Sequence, residues 1–353
     1  VYQTEGKDIT VLNDDVSEEI TVNAVKLNVT VMDADGEDVM KNYTLTGKLI
    51  KNGEVVAEAT AADGILHFGH TPFETYKLEI AFGDLELYSE TYEVNVDTAE
   101  GSVKALFYDV EFEVNASALA NASLARALSG ELSIQGLEIR FEVEDWKASL
   151  RNVPRSEAYT VTLFRGGEEV AEIKPVKIVR DDQAVKLNLT GYRIILTTLN
   201  LDEKPVSAEV KVYLPGVGVV TSFETNESGR GESGQLLPLT YEVEALIEGS
   251  PARRESVKLE NRDVSMTLIL DVKDMVFRVF DRDGEDLLGN VSLQLIRGSL
   301  KRSASQLENK TIIVKNLPIG EYRVIVSYYG FKVLDRMIDI SRELDEEDLK
   351  AMG

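Results

Sequence analysis

A Pro-to-Tyr element recurs four times along the 353 residues and does more than any other feature to limit what this chain can fold into. It runs Pro72-Phe-Glu-Thr-Tyr76, Pro154-Arg-Ser-Glu-Ala-Tyr159, Pro238-Leu-Thr-Tyr241 and Pro318-Ile-Gly-Glu-Tyr322, with tyrosines 83, 82 and 81 residues apart. Each tyrosine opens a stretch alternating apolar and polar residues, the period of a strand with one buried face. A glycine follows seven or eight residues later (Gly83, Gly167, Gly249, Gly330), where a hairpin turns. Four copies at one spacing define a tandem repeat.

A second match gives the same period. Val31-Met-Asp-Ala-Asp-Gly-Glu-Asp-Val-Met-Lys-Asn42 agrees with Val279-Phe-Asp-Arg-Asp-Gly-Glu-Asp-Leu-Leu-Gly-Asn290 at seven of twelve positions, 248 residues apart. The third repeat keeps a weaker version in Leu199-Asn-Leu-Asp-Glu-Lys-Pro205. In the second it is replaced by Asn115–Leu128, a small, Ala-rich and helix-prone insertion.

Six or seven short strands in about 80 residues, with turn signals such as Asn52-Gly53 and Asp63-Gly64, describe a Greek-key sandwich. The fold class is therefore all-β, four tandem Ig-like Greek-key β-sandwiches. The units run 24–99, 100–189 (with the insertion), 190–270 and 271–342. Residues 1–23 form an N-terminal extension with two β-like pieces, Ile9-Thr-Val-Leu12 and Ile20-Thr-Val22. They either complete the first sandwich or add a strand to a neighbour's open sheet edge. Residues 343–353 form an acidic tail, with Ser341 placed to cap a short helix through Leu349. Starting at Val rather than Met, the chain reads as processed or cut from something longer. Linkers are nearly absent, so the units are expected to abut as a stiff array. In such a sandwich the Pro–Tyr element is a corner: Pro ends one strand, and Tyr buries its ring while its hydroxyl bonds backbone.

A first strand ending in Asp-x-Asp-Gly, an Asp-Gly hairpin, and then Leu-Pro-x-Gly-x-Tyr resemble transthyretin-like sandwiches, among them carboxypeptidase-regulatory-like and collagen-adhesin B-type repeats. The fourth unit fits best (Leu317-Pro-Ile-Gly-Glu-Tyr322) and the first next; the second and third keep only the Pro–Tyr frame. The resemblance implies the fold but leaves function open, since such modules serve as spacers, adhesin stalks and enzyme appendages. Some collagen-adhesin repeats carry a Lys–Asn isopeptide bond. The positions here, Lys26 and Asn95, both fall on the polar phase of their strands, which argues against one.

Net charge is −24, a surface that repels phosphate backbones and excludes nucleic acid as a partner. No stretch is apolar enough for a transmembrane helix. The absence of cysteine removes disulfides and thiolate metal sites; together with six Gln among many Glu, Lys and Arg it leans towards a thermophile. Asparagine gives the compartment. Eight of sixteen Asn open an Asn-x-Ser/Thr sequon (Asn28, Asn42, Asn115, Asn121, Asn188, Asn226, Asn290 and Asn309), where chance gives about two. Strand phase turns Asn28, Asn42, Asn188 and Asn290 to solvent, as a glycan requires. The chain reads as extracellular, N-glycosylated and archaeal.

Chemistry is sparse. Both histidines, His67 and His70, lie in Leu66-His-Phe-Gly-His-Thr-Pro72 and read as a solvated strand end; no nucleophile elbow, phosphate loop or HExxH motif is present. An enzyme is not expected. Calcium is the one candidate cofactor. Asp33, Asp35 and Asp38, and their copies Asp281, Asp283 and Asp286, crowd three carboxylates into six residues. The same residues also make an Asp-Gly turn with no ion. Trp146 stands alone and reads as packing. Tyr328-Tyr329-Gly330-Phe331 at the last hairpin is a candidate inter-subunit contact. Together these features describe a structural subunit of a surface layer or extracellular filament, whose partners are copies of itself and N-linked glycans. An adhesin or carbohydrate-binding stalk, or the accessory region of a larger secreted enzyme, is the competing reading.

Overall fold

The computed structural model describes residues 22–287, 289–305 and 311–350. Most of the N-terminal extension, Asn309 and residues 351–353 lie outside the described residues, so the strand-addition expectation for 1–23 does too.

Among the described residues twenty-eight strands form eight sheets, grouped as four sandwiches of seven strands. The first holds β1 (Ala24–Met32), β2 (Leu45–Lys51), β3 (Glu54–Ala61), β4 (Ile65–Pro72), β5 (Thr75–Phe82), β6 (Leu85–Glu93) and β7 (Glu100–Lys104). The second holds β8 (Phe107–Asn115), β9 (Leu128–Ile134), β10 (Leu137–Glu142), β11 (Lys147–Pro154), β12 (Ser156–Arg165), β13 (Glu168–Ile178) and β14 (Gln183–Asn188). In the third are β15 (Ile194–Leu199), β16 (Glu209–Leu214), β17 (Gly218–Glu224), β18 (Arg230–Glu232), β19 (Thr240–Ile247), β20 (Ser250–Lys258) and β21 (Val264–Ile269). The fourth has β22 (Val272–Phe280), β23 (Val291–Arg297), β24 (Leu300–Ser305), β25 (Thr311–Pro318), β26 (Gly320–Tyr328), β27 (Phe331–Ile340) and β28 (Glu346–Lys350).

One topology repeats. The three-stranded sheet of the first sandwich runs β4-β1-β7 and the four-stranded sheet β3-β2-β5-β6; adding seven, fourteen or twenty-one gives the other three. Alternation makes the cores. Along β1, Leu27, Val29 and Val31 are fully buried while Lys26, Asn28 and Thr30 face outward, and β26 buries Tyr322, Val324 and Val326 in the same way. The last strand of a sandwich pairs in parallel with its first: β1 with β7, β15 with β21, and β22 with β28.

That closing strand moves three expectations. Glu100–Lys104 closes the first sandwich and Phe107–Asn115 opens the second, so the boundary drawn at 99 falls short of a strand belonging to the first unit. The expected helix before Leu349 is instead β28, because Leu349 is buried in the fourth core and the edge of β22 satisfies its backbone. The acidic tail is therefore part of the fourth sandwich up to Lys350. The Ala-rich insertion forms only a 3₁₀ turn, Ala122–Ala125, which Asn121 caps by accepting from the Ser123 amide. Its Leu119 and Leu124 are buried, and that packing outweighs the helical propensity of the run.

By contacts the chain forms two compact units. One comprises Val1–Val114, Ala127–Phe164 and Glu172–Leu187; the other Asn115–Arg126, Arg165–Ala171 and Asn188–Gly353. Sandwiches one and two meet within the first, and three and four within the second.

Candidate assembly junctions and surface sites

The corner tyrosines anchor each sandwich. Tyr159, Tyr241 and Tyr322 are fully buried and Tyr76 nearly so. Each hydroxyl donates to a corner carbonyl: Tyr76 to Pro72 (3.3 Å), Tyr159 to Pro154 (2.7 Å), Tyr241 to Leu237 (3.0 Å) and Tyr322 to Pro318 (2.7 Å). Pro238 thus yields the acceptor role to its predecessor. Burial pushes all three fully buried phenols above their ordinary range.

Beside these corners the sandwiches join, and the join is built twice from the same parts. Between the first and second, the amide of Leu106 donates to Leu87 O (2.9 Å) and that of Ala34 to Phe107 O (3.2 Å). Between the third and fourth, Asp271 donates to Ala252 O (3.1 Å) and Leu201 to Val272 O (2.9 Å). Within each incoming sandwich an aspartate holds a bulged asparagine. Asp109 Oδ1 accepts from the Asn152 amide (3.0 Å), and Asp274 Oδ1 from the Asn316 amide (2.9 Å). Both asparagines have positive φ, 56° and 50°, a conformation Asn tolerates better than most residues. The matching residues lie 164–167 residues apart, two periods of the tyrosine repeat.

Side chains fill these frames differently. In the first join Tyr43 donates to Asn152 O (2.5 Å), Asn152 Nδ2 to Asp38 Oδ2 (3.2 Å), and Phe107 enters the core of the first sandwich with its ring centroid 4.8 Å from that of Tyr43. Burial pushes the Tyr43 phenol up to about 12. The second join has Asn200 Nδ2 donating to Asn316 Oδ1 (3.4 Å), and ion pairs Lys204–Asp274 (3.4 Å) and Arg302–Glu248 (3.1 Å). Sequence reasoning missed the asparagines. Their signal is basic-Asn-apolar-Pro in Arg151-Asn-Val-Pro154 and Lys315-Asn-Leu-Pro318, read only for its proline.

The Asp-rich turns do not gather cation ligands. Asp33 Oδ1 accepts from the amides of Gly36 (2.6 Å) and Glu37 (2.8 Å), and Asp281 Oδ1 from those of Asp283 and Glu285 (2.9 Å each). In the third repeat Asn200 Oδ1 does the same for Asp202 and Lys204 (2.9 Å each), so the position needs an acceptor rather than a charge. The ammonium of Lys104 donates to Asp35 O. Among the described residues no three His, Asp or Glu side chains are grouped to hold a metal ion; the calcium expectation for Asp33, Asp35, Asp38, Asp281, Asp283 and Asp286 finds no supporting geometry. Asp35 instead faces the Asp181 carboxyl, which raises its pKa by charge repulsion and a shared hydrogen bond. His67 Nδ1 bonds Asn28 Oδ1 (2.7 Å). Lys26 pairs across the strands with His70, while Asn95 spends its side chain on the amides of Asp97 and Thr98.

The sequons differ in access. Asn42, Asn226 and Asn290 are exposed. Asn28, half-buried, donates to Glu100 (2.8 Å). Asn115 and Asn188 are exposed but bond each other, Nδ2 of the former to Oδ1 of the latter at 2.9 Å. Asn121 is half-buried, with Nδ2 donating to Val220 O (3.1 Å). Trp146 is half-buried in the turn before β11, and its carbonyl accepts from Val114.

No protein-family model matches the sequence, and no curated relative does. Among solved structures the chain is similar to the Bacillus anthracis TIE protein (12% identity over 97% of this chain and 76% of that one, TM-score 0.30). It is also similar to a streptococcal ancillary pilin (11% identity, 69% and 99%, TM-score 0.26) and to BcpA, the major pilin subunit of Bacillus cereus (12%, 70% and 99%, TM-score 0.21). Likenesses of this order carry nothing about what the chain does. No helix among the described residues is long and apolar enough to cross a membrane.

Proposed function

We propose that the chain is a non-catalytic structural subunit of an extracellular assembly, a filament or surface layer, with N-linked glycans at its accessible sequons. The observation that carries this is the repeated join. A tether between independent domains needs no backbone hydrogen bonds across the boundary, yet the same frame of bonds recurs two periods apart with different side chains filling it. Selection on such a frame is selection on a fixed angle between neighbours, which matters for an array and not for a soluble carrier. Acidic surface and dense sequons suit a protein that faces the medium, and the strand order suits the transthyretin-like or collagen-adhesin class. Asn42, Asn226 and Asn290 are the sequons best placed for glycans.

Negative-stain microscopy of native material tests the assembly: fibres or a lattice are expected, and monodisperse single chains sink it. Glycopeptide mass spectrometry of the same sample tests the glycans separately, with bare Asn42, Asn226 and Asn290 as the contrary result.

A further inference from the structure

Each join has a receiving side and an incoming side. The receiving sandwich offers a carbonyl two residues past the tip of its last hairpin (Leu87, Ala252) and the amide after the first residue of its polar turn (Ala34, Leu201). The incoming sandwich offers the linker amide (Leu106, Asp271) and the carbonyl that follows (Phe107, Val272). Every one of these positions has a counterpart in the fourth sandwich as receiver and in the first as incomer.

On the fourth sandwich, hairpin register equates Tyr328–Phe331 with Phe82–Leu85 and Ile247–Ser250, so Val333 stands where Leu87 and Ala252 stand. The turn closed by Asp281 places Arg282 where Ala34 and Leu201 are. In the third sandwich Ile247 and Ser250, at the positions of Tyr328 and Phe331, are buried and half-buried, and Glu248, at the position of Tyr329, pairs with Arg302 of the fourth sandwich at 3.1 Å. In the fourth, Tyr329 and Phe331 are 60% and 77% exposed.

On the first sandwich, the leading end already has the docking conformation. Ala24 donates to Val22 O (2.9 Å) as Phe107 does to Ala105 O and Val272 to Leu270 O (2.8 Å each). Phe73 donates to Asn23 O (3.0 Å) as Arg155 does to Leu106 O and Ile319 to Asp271 O. Asn23, Ala24 and Lys26 therefore stand where Asp271, Val272 and Asp274 do.

The charges favour a second copy as the partner. The pair Lys204–Asp274 spans the join of sandwiches three and four. At the open positions its counterparts are Glu285 on the receiving face and Lys26 on the incoming end, both exposed, so the pair reappears with polarity reversed.

We infer that the receiving face of the fourth sandwich docks the leading end of the first sandwich of a second copy of this chain. The contact sets Glu285 against Lys26, and Phe331 and Tyr329 under the incoming linker. It rests on the assembly reading above and specifies its contact. Because the two surfaces differ, the contact is heterologous, and it propagates into open chains or closes into rings.

Sedimentation velocity on the purified chain and its variants tests this, with circular dichroism to show that each variant is folded. The wild type is expected to form larger species as concentration rises. Phe331→Asp, Lys26→Glu and Glu285→Lys should each weaken association at least tenfold, and Lys26→Glu combined with Glu285→Lys should restore it. Zero-length carbodiimide cross-linking should yield a Lys26–Glu285 peptide between copies. Association that ignores all of these substitutions overturns the contact but leaves the assembly reading standing. A wild type that stays monomeric overturns the contact, and monodisperse native particles alongside it overturn both. A native cross-link from Glu285 to a different protein also overturns the inference.

Discussion

At the scale of single residues, the corner tyrosines combine two demands that a phenylalanine meets only by half. The ring fills the core where one sheet hands over to the other, and the hydroxyl satisfies a carbonyl that the strand pairing leaves over. Tyr159→Phe or Tyr322→Phe should cost about 1–2 kcal/mol in urea unfolding, since the ring is kept and one buried carbonyl loses its donor. The same burial sets an alkaline limit. Unfolded phenols ionise near pH 10, whereas Tyr43 is held up to about 12 and the buried corner tyrosines are also raised. Between those values the unfolded chain releases protons that the folded one retains, so stability is complete below pH 10 and falls as pH rises. Absorbance at 295 nm should show a late phenolate step coincident with loss of the β-sheet signal. Asp35 offers a second check. Its carboxyl is raised by Asp181, so it opposes folding once ionised, and the penalty vanishes in acid where it is protonated. Asp35→Asn should raise the melting temperature at neutral pH, with the gain disappearing below the carboxylate range.

Elements were legible where alternation was long and illegible where pairing decided. Strands such as β1 and β5 follow from Leu27-x-Val29-x-Val31 and Tyr76-x-Leu78-x-Ile80, because one face is buried by a partner in the same repeat. The closing strand β28 carries few apolar residues and exists because β22 presents an edge to it; its Leu349 reads equally well as helix until that edge is known. The same edge houses Lys273, whose ammonium donates to Arg342 O (2.8 Å) and Asp345 Oδ1 (2.6 Å) while its stem is buried. Asp345→Ala should therefore destabilise more than Lys273→Met, since only the former leaves a buried charge short of its counter-ion; thermal melts of both variants check this. A missing side chain can be as specific as a charge. Gly130 lies directly across from Phe141, and a Cβ there would sit 2.1 Å from the ring, which stacks on Phe112 at 5.3 Å. Gly130→Val should drive that ring from the core at a cost of about 1–3 kcal/mol, measurable by denaturant titration. The joins escaped sequence reading because a backbone bond leaves no residue type behind, and only Asn152 and Asn316 betray it.

At the scale of the whole molecule, the period fixes how many sandwiches there are, and their number has a mechanical meaning. The chain enters the first sandwich along β1 and leaves along β7, strands that lie side by side and point the same way. A pull on the two ends therefore loads their shared hydrogen bonds all at once, in shear. Strands joined as a hairpin would instead peel apart one bond at a time. The third and fourth sandwiches have the same arrangement. Stretched between a tip and a surface, the protein should resist as a series of high, well-separated ruptures. Each should release roughly 280 Å of contour for a sandwich of about 80 residues at about 3.5 Å apiece.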